Sequence, residues 1–385
     1  MQHSPRRRQV LRGMAALAAW SALPTSLLAV EAERIDVRPH DLERVLEVFG
    51  SGPVVDFHTH LGIWQTIGLS EPVPGIGAIS ADKLGSNVRE YLDAGVNCIY
   101  LDTISDVART RIGMPGNKDR DFRGDEAWEE YLRQYALMQQ FLGELPVSVA
   151  SDLDEVEAIA ARGELAAVLS TEGAHMVERD PTRLDTLYAQ GMRRLQPIHY
   201  VASTLGDSQT DPPRYGGLSA LGRDVMERSA QLGMLLDMAH ASEAVVEQTA
   251  ALVDKPLSLS HTMVAYDSAR FGDYRKTRMR WVSPQHARRI AATGGVIGTF
   301  PIRAPFGVDT ADAFVEAVQV MVDAVGIEHV AWATDLGEPV RPGFLRDYRQ
   351  FPKICARLLE SGFSDDDLRR FVGTNALRVQ RAATS

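Results

Sequence analysis

From residue 54 onward the chain alternates between short apolar runs and longer stretches whose apolar residues recur at helical spacing. The apolar runs fall at residues 54–58, 98–103, 165–170, 194–198, 234–238, 256–260, 295–300 and 329–333. Between and after them, the spacing predicts helices over 80–93, 126–142, 153–162, 222–232, 243–251, 284–292, 311–325 and 345–360. A lead-in helix is predicted over 41–48, and two short helices after 360. Strands that alternate with helices pair in parallel. These runs are rich in Val, Ile and Leu rather than strictly alternating, as befits strands covered on both faces. Eight of them predict closure into a (β/α)8 barrel of TIM type, an α/β fold forming a single catalytic domain over residues 33–385. An open doubly wound sheet is the competing arrangement. It usually carries a Gly-rich phosphate turn after its first strand, whereas this first strand ends in Asp56-Phe57-His58-Thr59-His60.

In such a barrel the chemistry gathers at the C-terminal ends of the strands. There the first run ends in His58 and His60, and the third leads into Glu172. The fourth ends in His199, the fifth in His240, the sixth in His261 and the eighth in Asp335. A strand sends alternate side chains to one face, so His58 and His60 can address one ion. Any one of these histidines alone is more often a satisfied structural residue than a ligand. Five of the chain's ten histidines at strand ends, together with two carboxylates, have no simple structural explanation. Imidazole nitrogens and carboxylate oxygens suit zinc and similar transition ions, and a carboxylate shared by two ions gives a two-metal site. Other histidines read differently. His329 starts the eighth run and is expected to be structural, His286 lies within a helix and is expected at the surface, and His40 gives no signal. His175, three residues beyond Glu172, is expected either to orient a ligand from behind or to lie solvated in a loop. No Gly-x-Ser-x-Gly nucleophile elbow is present.

Residues 1–32 stand apart. Arg6-Arg7-Arg8-Gln9-Val10-Leu11-Arg12 precedes an uncharged apolar stretch over 13–30, with small residues at Ala29 and Ala32. This is the pattern of an export signal, and the paired arginines resemble the twin-arginine type, which implies the twin-arginine export machinery as a partner and a periplasmic or otherwise exported protein. A retained membrane anchor is the weaker reading, because about 18 residues interrupted by Pro24 barely span a bilayer. The net charge of −10 argues against nucleic acid as a partner, although residues 266–280 are locally basic. Cys98 and Cys355 are the only cysteines, too few for a disulfide framework, and are expected as buried free thiols. A homodimer is the assembly allowed.

Taken together, the strand-end residues resemble the membrane dipeptidase (renal dipeptidase) family of zinc metallopeptidases, and through it the amidohydrolase-like barrels. The resemblance runs in order through Asp56-Phe57-His58-Thr59-His60, Glu172-Gly173-Ala174-His175, Pro197-Ile198-His199, Asp237-Met238-Ala239-His240, Ser260-His261, Asp335 and Gly373-Thr374-Asn375-Ala376-Leu377-Arg378-Val379. It implies two zinc ions, one held by His58 and His60 and the other by His240 and His261, with Glu172 between them. It further implies that a hydroxide bridging the ions attacks the amide carbonyl of a dipeptide. Asp335 would move the proton, His199 would contact substrate and stabilise the oxyanion, and an arginine before the helix that follows the sixth run would grip the terminal carboxylate, Arg280 fitting that place best with Arg270, Arg275 and Arg278 as alternatives. Two positions depart from the family pattern. His60 stands where the family has Asp, and Leu336-Gly337-Glu338 follows Asp335 where the family usually has Phe-Asp-Gly. These departures keep open the same site acting on a lactone, a cyclic amide or an N-acyl amino acid. They also keep open an exported binding protein that retains the barrel without the chemistry.

Overall fold

A computed structural model describes residues 32–66, 81–107, 109, 121–265, 280–301, 308, 310–337 and 343–385. The export segment, except its last residue, and the basic loop up to residue 279 lie outside the described residues. Eight strands form the barrel: β1 (Val55–Thr59), β2 (Cys98–Ile104), β3 (Leu165–Glu172), β4 (Met192–Gln196), β5 (Leu235–Asp237), β6 (Leu257–Leu259), β7 (Val296–Gly298) and β8 (Val330–Ala331). Each pairs in parallel with the next in chain order. The ring closes just beyond β8. The Phe57 N–H donates to Trp332 O (3.0 Å), Asp335 N–H to His58 O (2.9 Å) and His60 N–H to Leu336 O (3.2 Å), so residues 332–336 run alongside β1. Closure removes the sheet edges that an open arrangement would expose.

The helices predicted over 126–142, 284–292 and 311–325 occur within those bounds, as Glu126–Leu142, Pro284–Ala292 and Ala311–Val325. Side-chain caps explain several starts. Asp152, Ser219, Ser242, Ser283 and Thr310 each accept an N–H of the first turn, and such a cap contributes about 1 kcal/mol. The expected helix over 345–360 begins only at Phe351, after 3-10 turns at Gly343–Leu345 and Tyr348–Gln350. Pro352 sits in its first turn, where the missing N–H costs nothing. The fourth strand starts two residues earlier than expected and stops before Pro197, which has no N–H for the ladder. Two short pairings were not legible in the periodicity. Val147–Val149 pairs with the first half of β3, and Met263–Val264 pairs with Trp281–Val282.

Inside the ring the side chains form layers. Val55, Phe57, Cys98, Tyr100, Ala166, Val168, Leu235, Val296 and Ala331 belong to one apolar cluster, set at alternate positions on their strands. Two residues further along β2 and β3 come Asp102 and Ser170, which meet the fully buried guanidinium of Arg194 at 2.6 and 3.2 Å. Arg194 also lies over the Phe57 and Tyr100 rings, 5.0 and 4.8 Å from their centroids. A register shift between Asp56 and Thr59 breaks the alternation of β1. Irregularity of this kind re-aims side chains next to active sites. Here Phe57 packs in the apolar layer while His58 and His60 both turn to the mouth.

No helix among the described residues is long and apolar enough to cross a membrane. Both cysteines are buried and free, as expected. The expectation for His286 is corrected: it is buried, 1% exposed, on the inner face of its helix. Burial pushes its imidazole from 6.5 down to about 4, against the pull of Glu243. A histidine with a depressed folded value is neutral when folded and protonates first when unfolded. Its stabilising contribution is therefore complete above pH 6.5 and is lost as pH falls toward 4, by up to ~3 kcal/mol. Melting temperatures recorded between pH 6.5 and 4 should fall less steeply for His286→Leu than for the parent chain.

Candidate metal centre

The mouth of the barrel is built around the end of β3. Glu172 is the last residue of that strand and Gly173 follows in the left-handed region, φ +79°. A Cβ at residue 173 would meet Ser105 Oγ at 2.3 Å and His199 Cβ at 3.1 Å, so the turn that presents Glu172 requires glycine. The Glu172 carboxylate is buried and its two oxygens serve opposite sides. Oε1 lies 2.9 Å from His240 Nε2 and 3.3 Å from His261 Nε2, and those two nitrogens are 3.2 Å apart. Oε2 lies 3.2 Å from His199 Nε2 and 3.5 Å from His60 Nε2. On that second side, His58 Nε2 and His60 Nε2 are 3.2 Å apart, and Asp335 Oδ1 stands 3.3 and 2.9 Å from them. The donor atoms of His58, His60, Glu172 and Asp335 converge as one set, and those of Glu172, His199 and His240 as another.

The opposite faces of the rings are held. His199 Nδ1 donates to Asp106 Oδ1 at 2.6 Å, and His60 Nδ1 faces the Asp102 carbonyl at 3.3 Å. Both His58 Nδ1 and His261 Nδ1 face the Ser260 hydroxyl, at 3.0 and 2.8 Å. An acceptor on Nδ1 leaves the Nε2 lone pair for a ligand, which is how metal-binding histidines are prepared. His240 differs, since its Nδ1 is buried without a hydrogen-bond partner. Two residues with appreciable strain also sit here. His240 (φ 65°) and Asp335 (φ 54°) are the non-glycine residues in the left-handed region among the described residues, and such conformations concentrate at functional sites. Asp237 supports the first by accepting the Ala239 and Ser260 N–H groups. Asp56 supports the second by binding the Thr334 N–H and hydroxyl and the Tyr348 hydroxyl. Burial pushes the Asp56 carboxyl up to about 7.

The electrostatics divide the cluster. Burial alone would raise the carboxyls of Glu172 and Asp335, but the surrounding imidazoles hold both well below the usual range. Burial opposes a charge on His60 and His199 as well. There the neighbouring carboxylates win, Asp335 and Glu172 raising His60 to about 9, Asp106 and Glu172 raising His199 to about 10. Burial keeps His58 and His240 well below their ordinary value, helped by His261 and Arg280 respectively. The two raised imidazoles both face Glu172 Oε2, whereas the Oε1 side is met by His240, which burial keeps neutral. On the Oε1 side the cation is the Arg280 guanidinium, whose Nη1 lies against both His240 Nε2 and His261 Nε2. It is a cationic group held where two imidazole lone pairs meet. Borderline-soft nitrogen donors, a shared carboxylate and oriented rings fit two divalent ions of the zinc type.

All the strand-end residues singled out in the sequence therefore meet here, including His261, and Arg280 joins them from the stretch before the helix Pro284–Ala292. His175 does not join the donor sets. Its Nδ1 is bound to Ser105 Oγ (2.7 Å) and its Nε2 to the Val201 carbonyl (3.1 Å), which ties two loops behind His199. His329 is structural, with Nδ1 on the Gly295 carbonyl at 2.7 Å. Missed in the sequence were Asp102, Asp106, Arg194 and Tyr200, while Ser260 was noted only beside His261. Asp102 and Asp106 do fall at and just past the end of β2, where a carboxylate is as informative as on any other strand. The Tyr200 ring packs against His199 and His240, 4.4 and 4.8 Å between centroids. Nothing in its local sequence marks it.

The described similarities agree with this geometry. Dipeptidase verJ of Clonostachys rogersoniana is 29% identical over 238 residues, 60% of this chain and 59% of that protein. The chain thus spans about three-fifths of the length of this relative. An uncharacterized dipeptidase of Schizosaccharomyces pombe is 25% identical over 98% of this chain and 91% of its own. Among solved structures, a metallopeptidase from Rhodobacter sphaeroides, liganded with a phosphinate mimic of the dipeptide L-Ala-D-Ala, superposes with a TM-score of 0.69 at 17% identity. It covers 86% of this chain and 99% of that one. An amidohydrolase from Pseudomonas aeruginosa gives a TM-score of 0.69 at 16% identity over 88% of this chain and 98% of its own. At these identities the superpositions establish the shared fold. The family model for membrane dipeptidase, peptidase family M19, matches residues 108–385, and the chain belongs to that family.

Proposed function

We propose that this chain is a metal-dependent hydrolase that cleaves the amide bond of a dipeptide. The observation that carries this reading is the division of Glu172, whose Oε1 faces His240 and His261 while its Oε2 faces His60 and His199. His58 and His60 with Glu172 Oε2 would hold one divalent ion, and His240 and His261 with Glu172 Oε1 the other. When bound, such ions supply Lewis acidity and a water that ionises near neutral pH.

The protein's own residues do the rest. Asp335 combines position and access. It touches both histidines of the first set, and its side chain is 20% exposed against 3% for Glu172. A carboxylate held ionised at that place accepts a proton from the attacking water and passes it to the leaving amine. His199 is locked by Asp106, and because Asp106 and Glu172 keep its ring protonated, Nε2 as well as Nδ1 carries a proton and points at the centre, where an N–H donor stabilises an oxyanion as it develops. Arg280 has a fork suited to a terminal carboxylate. To use it, the guanidinium turns from His240 and His261 toward substrate. Residues 6–12 support export through the twin-arginine machinery, with the domain at 33–385 acting in the periplasm or beyond, and a homodimer is compatible with this reading. If Asp335 carries the proton, Asp335→Asn lowers kcat by ~100-fold or more in protein whose metal content matches the parent. Full turnover by the metal-loaded variant would remove that role.

A second reading changes only the substrate. His60 adds an imidazole beside Asp335, and Gly337 lies so close to it that a Cβ there would stand 3.4 Å from His60 Cβ. This rim can shape the site for a lactone, a cyclic amide or an N-acyl amino acid. Assay of the metal-loaded protein against dipeptide, lactone and N-acyl amino acid panels decides between them. Dipeptide turnover is the expected outcome, and lactone turnover without it would favour the second reading. Stoichiometric metal with no turnover of any panel member would point to a binding protein.

A further inference from the structure

The inner wall of the metal centre is organised by one hydroxyl. Ser260 follows β6 and immediately precedes His261, and it is fully buried. Its Oγ lies 2.8 Å from His261 Nδ1 and 3.0 Å from His58 Nδ1. Those two rings belong to the two ion positions proposed above and lie against each other, with centroids 3.9 Å apart and planes inclined at 36°. The serine has no freedom to be elsewhere. Its N–H donates to Asp237 Oδ1 at 2.8 Å, and β7 approaches so closely that a Cβ at Gly298 would stand 1.8 Å from the Ser260 carbonyl oxygen.

A histidine that ligates through Nε2 carries its proton on Nδ1 and needs an acceptor there. For His261 the Ser260 hydroxyl is that acceptor. For His58 three groups surround Nδ1: Ser260 Oγ at 3.0 Å, Arg194 Nη2 at 3.0 Å and Asp102 Oδ2 at 3.3 Å. A guanidinium has no lone pair to offer. Asp102 Oδ2 is more distant and already receives Arg194 Nη2 at 2.6 Å. The hydroxyl is the nearer acceptor, and an oxygen with two lone pairs can take both protons.

We propose that Ser260 is a positioning residue that fixes the metal-binding tautomer of one histidine at each proposed ion position, His58 and His261, so that both positions depend on a single hydroxyl. The assignment rests on the two-ion reading above. It is tested by competing the metal-free full-length chain against a chromophoric zinc chelator, for the parent and for Ser260→Ala and Ser260→Thr. The parent should take up two zinc ions. Ser260→Ala should bind both of them about tenfold or more weakly, the size of loss that follows removal of a partner behind a ligating histidine. Ser260→Thr retains a hydroxyl and should stay within about threefold of the parent on the same scale. Melting of the metal-free Ala variant should match the parent, which separates positioning from a general loss of structure. Should that variant fail to fold, Ser260→Cys fills similar space with a much weaker acceptor and should show the same double loss. A loss confined to one ion, no loss, or a Thr variant as weak as the Ala variant would overturn the assignment. A parent that binds fewer than two ions would remove the two-ion reading itself, a result visible before any substitution is made.

Discussion

The buried carboxylate of Glu172 is the constraint on which the rest of the site depends. An isolated charge in so dry a place is costly, and here each oxygen is met by imidazoles from other strands. Those strands are far apart in sequence and reach one point only because the barrel closes. The closing hydrogen bonds between β1 and residues 332–336 thus serve chemistry as well as stability. They set Asp335 against His58 and His60, and Asp56 pins the same seam from within.

Beneath the donors lies a second buried charge layer. Arg194, Asp102 and Asp237 are fully enclosed or nearly so, with Arg194 Nη2 2.6 Å from Asp102 and its Nε 3.7 Å from Asp237. Breaking such a layer by removing one member is strongly destabilising, because it leaves an uncompensated charge. Its place in the fold explains why it is kept. Asp102 and Arg194 back the His58 ring, and Asp237 holds both the turn before His240 and the backbone of Ser260. The apolar layer below supplies the burial, this layer supplies the alignment, and the mouth supplies the donors.

Much of this was legible in the sequence because it follows from local rules. Eight apolar runs alternating with helical periodicity gave the barrel, and the convention that chemistry sits at strand C-termini picked out His58, His60, Glu172, His199, His240, His261 and Asp335. The residues that were not legible act through contacts between strands. Arg194 reads as an ordinary polar residue of β4 until Phe57, Tyr100 and Asp102 are placed around it. Ser260 reads as the neighbour of a histidine until His58, some 200 positions away in the chain, is found on the same hydroxyl. His286 was misread for a related reason: helical spacing tells which residues share a face, but burial of that face is decided by what packs on it. The late strands also end before their apolar runs do, β7 at Gly298 and β8 at Ala331, with Phe300 and Trp332 buried just beyond them.

The central claim is that Glu172 lies between two ions held by histidines of opposite strands. It is tested most directly by anomalous diffraction at the zinc edge from crystals of the chain grown with zinc. The account predicts two peaks flanking Glu172, one about 2 Å from Nε2 of His58 and His60 and one about 2 Å from Nε2 of His240 and His261. A single peak, or peaks that do not touch Glu172, would contradict it.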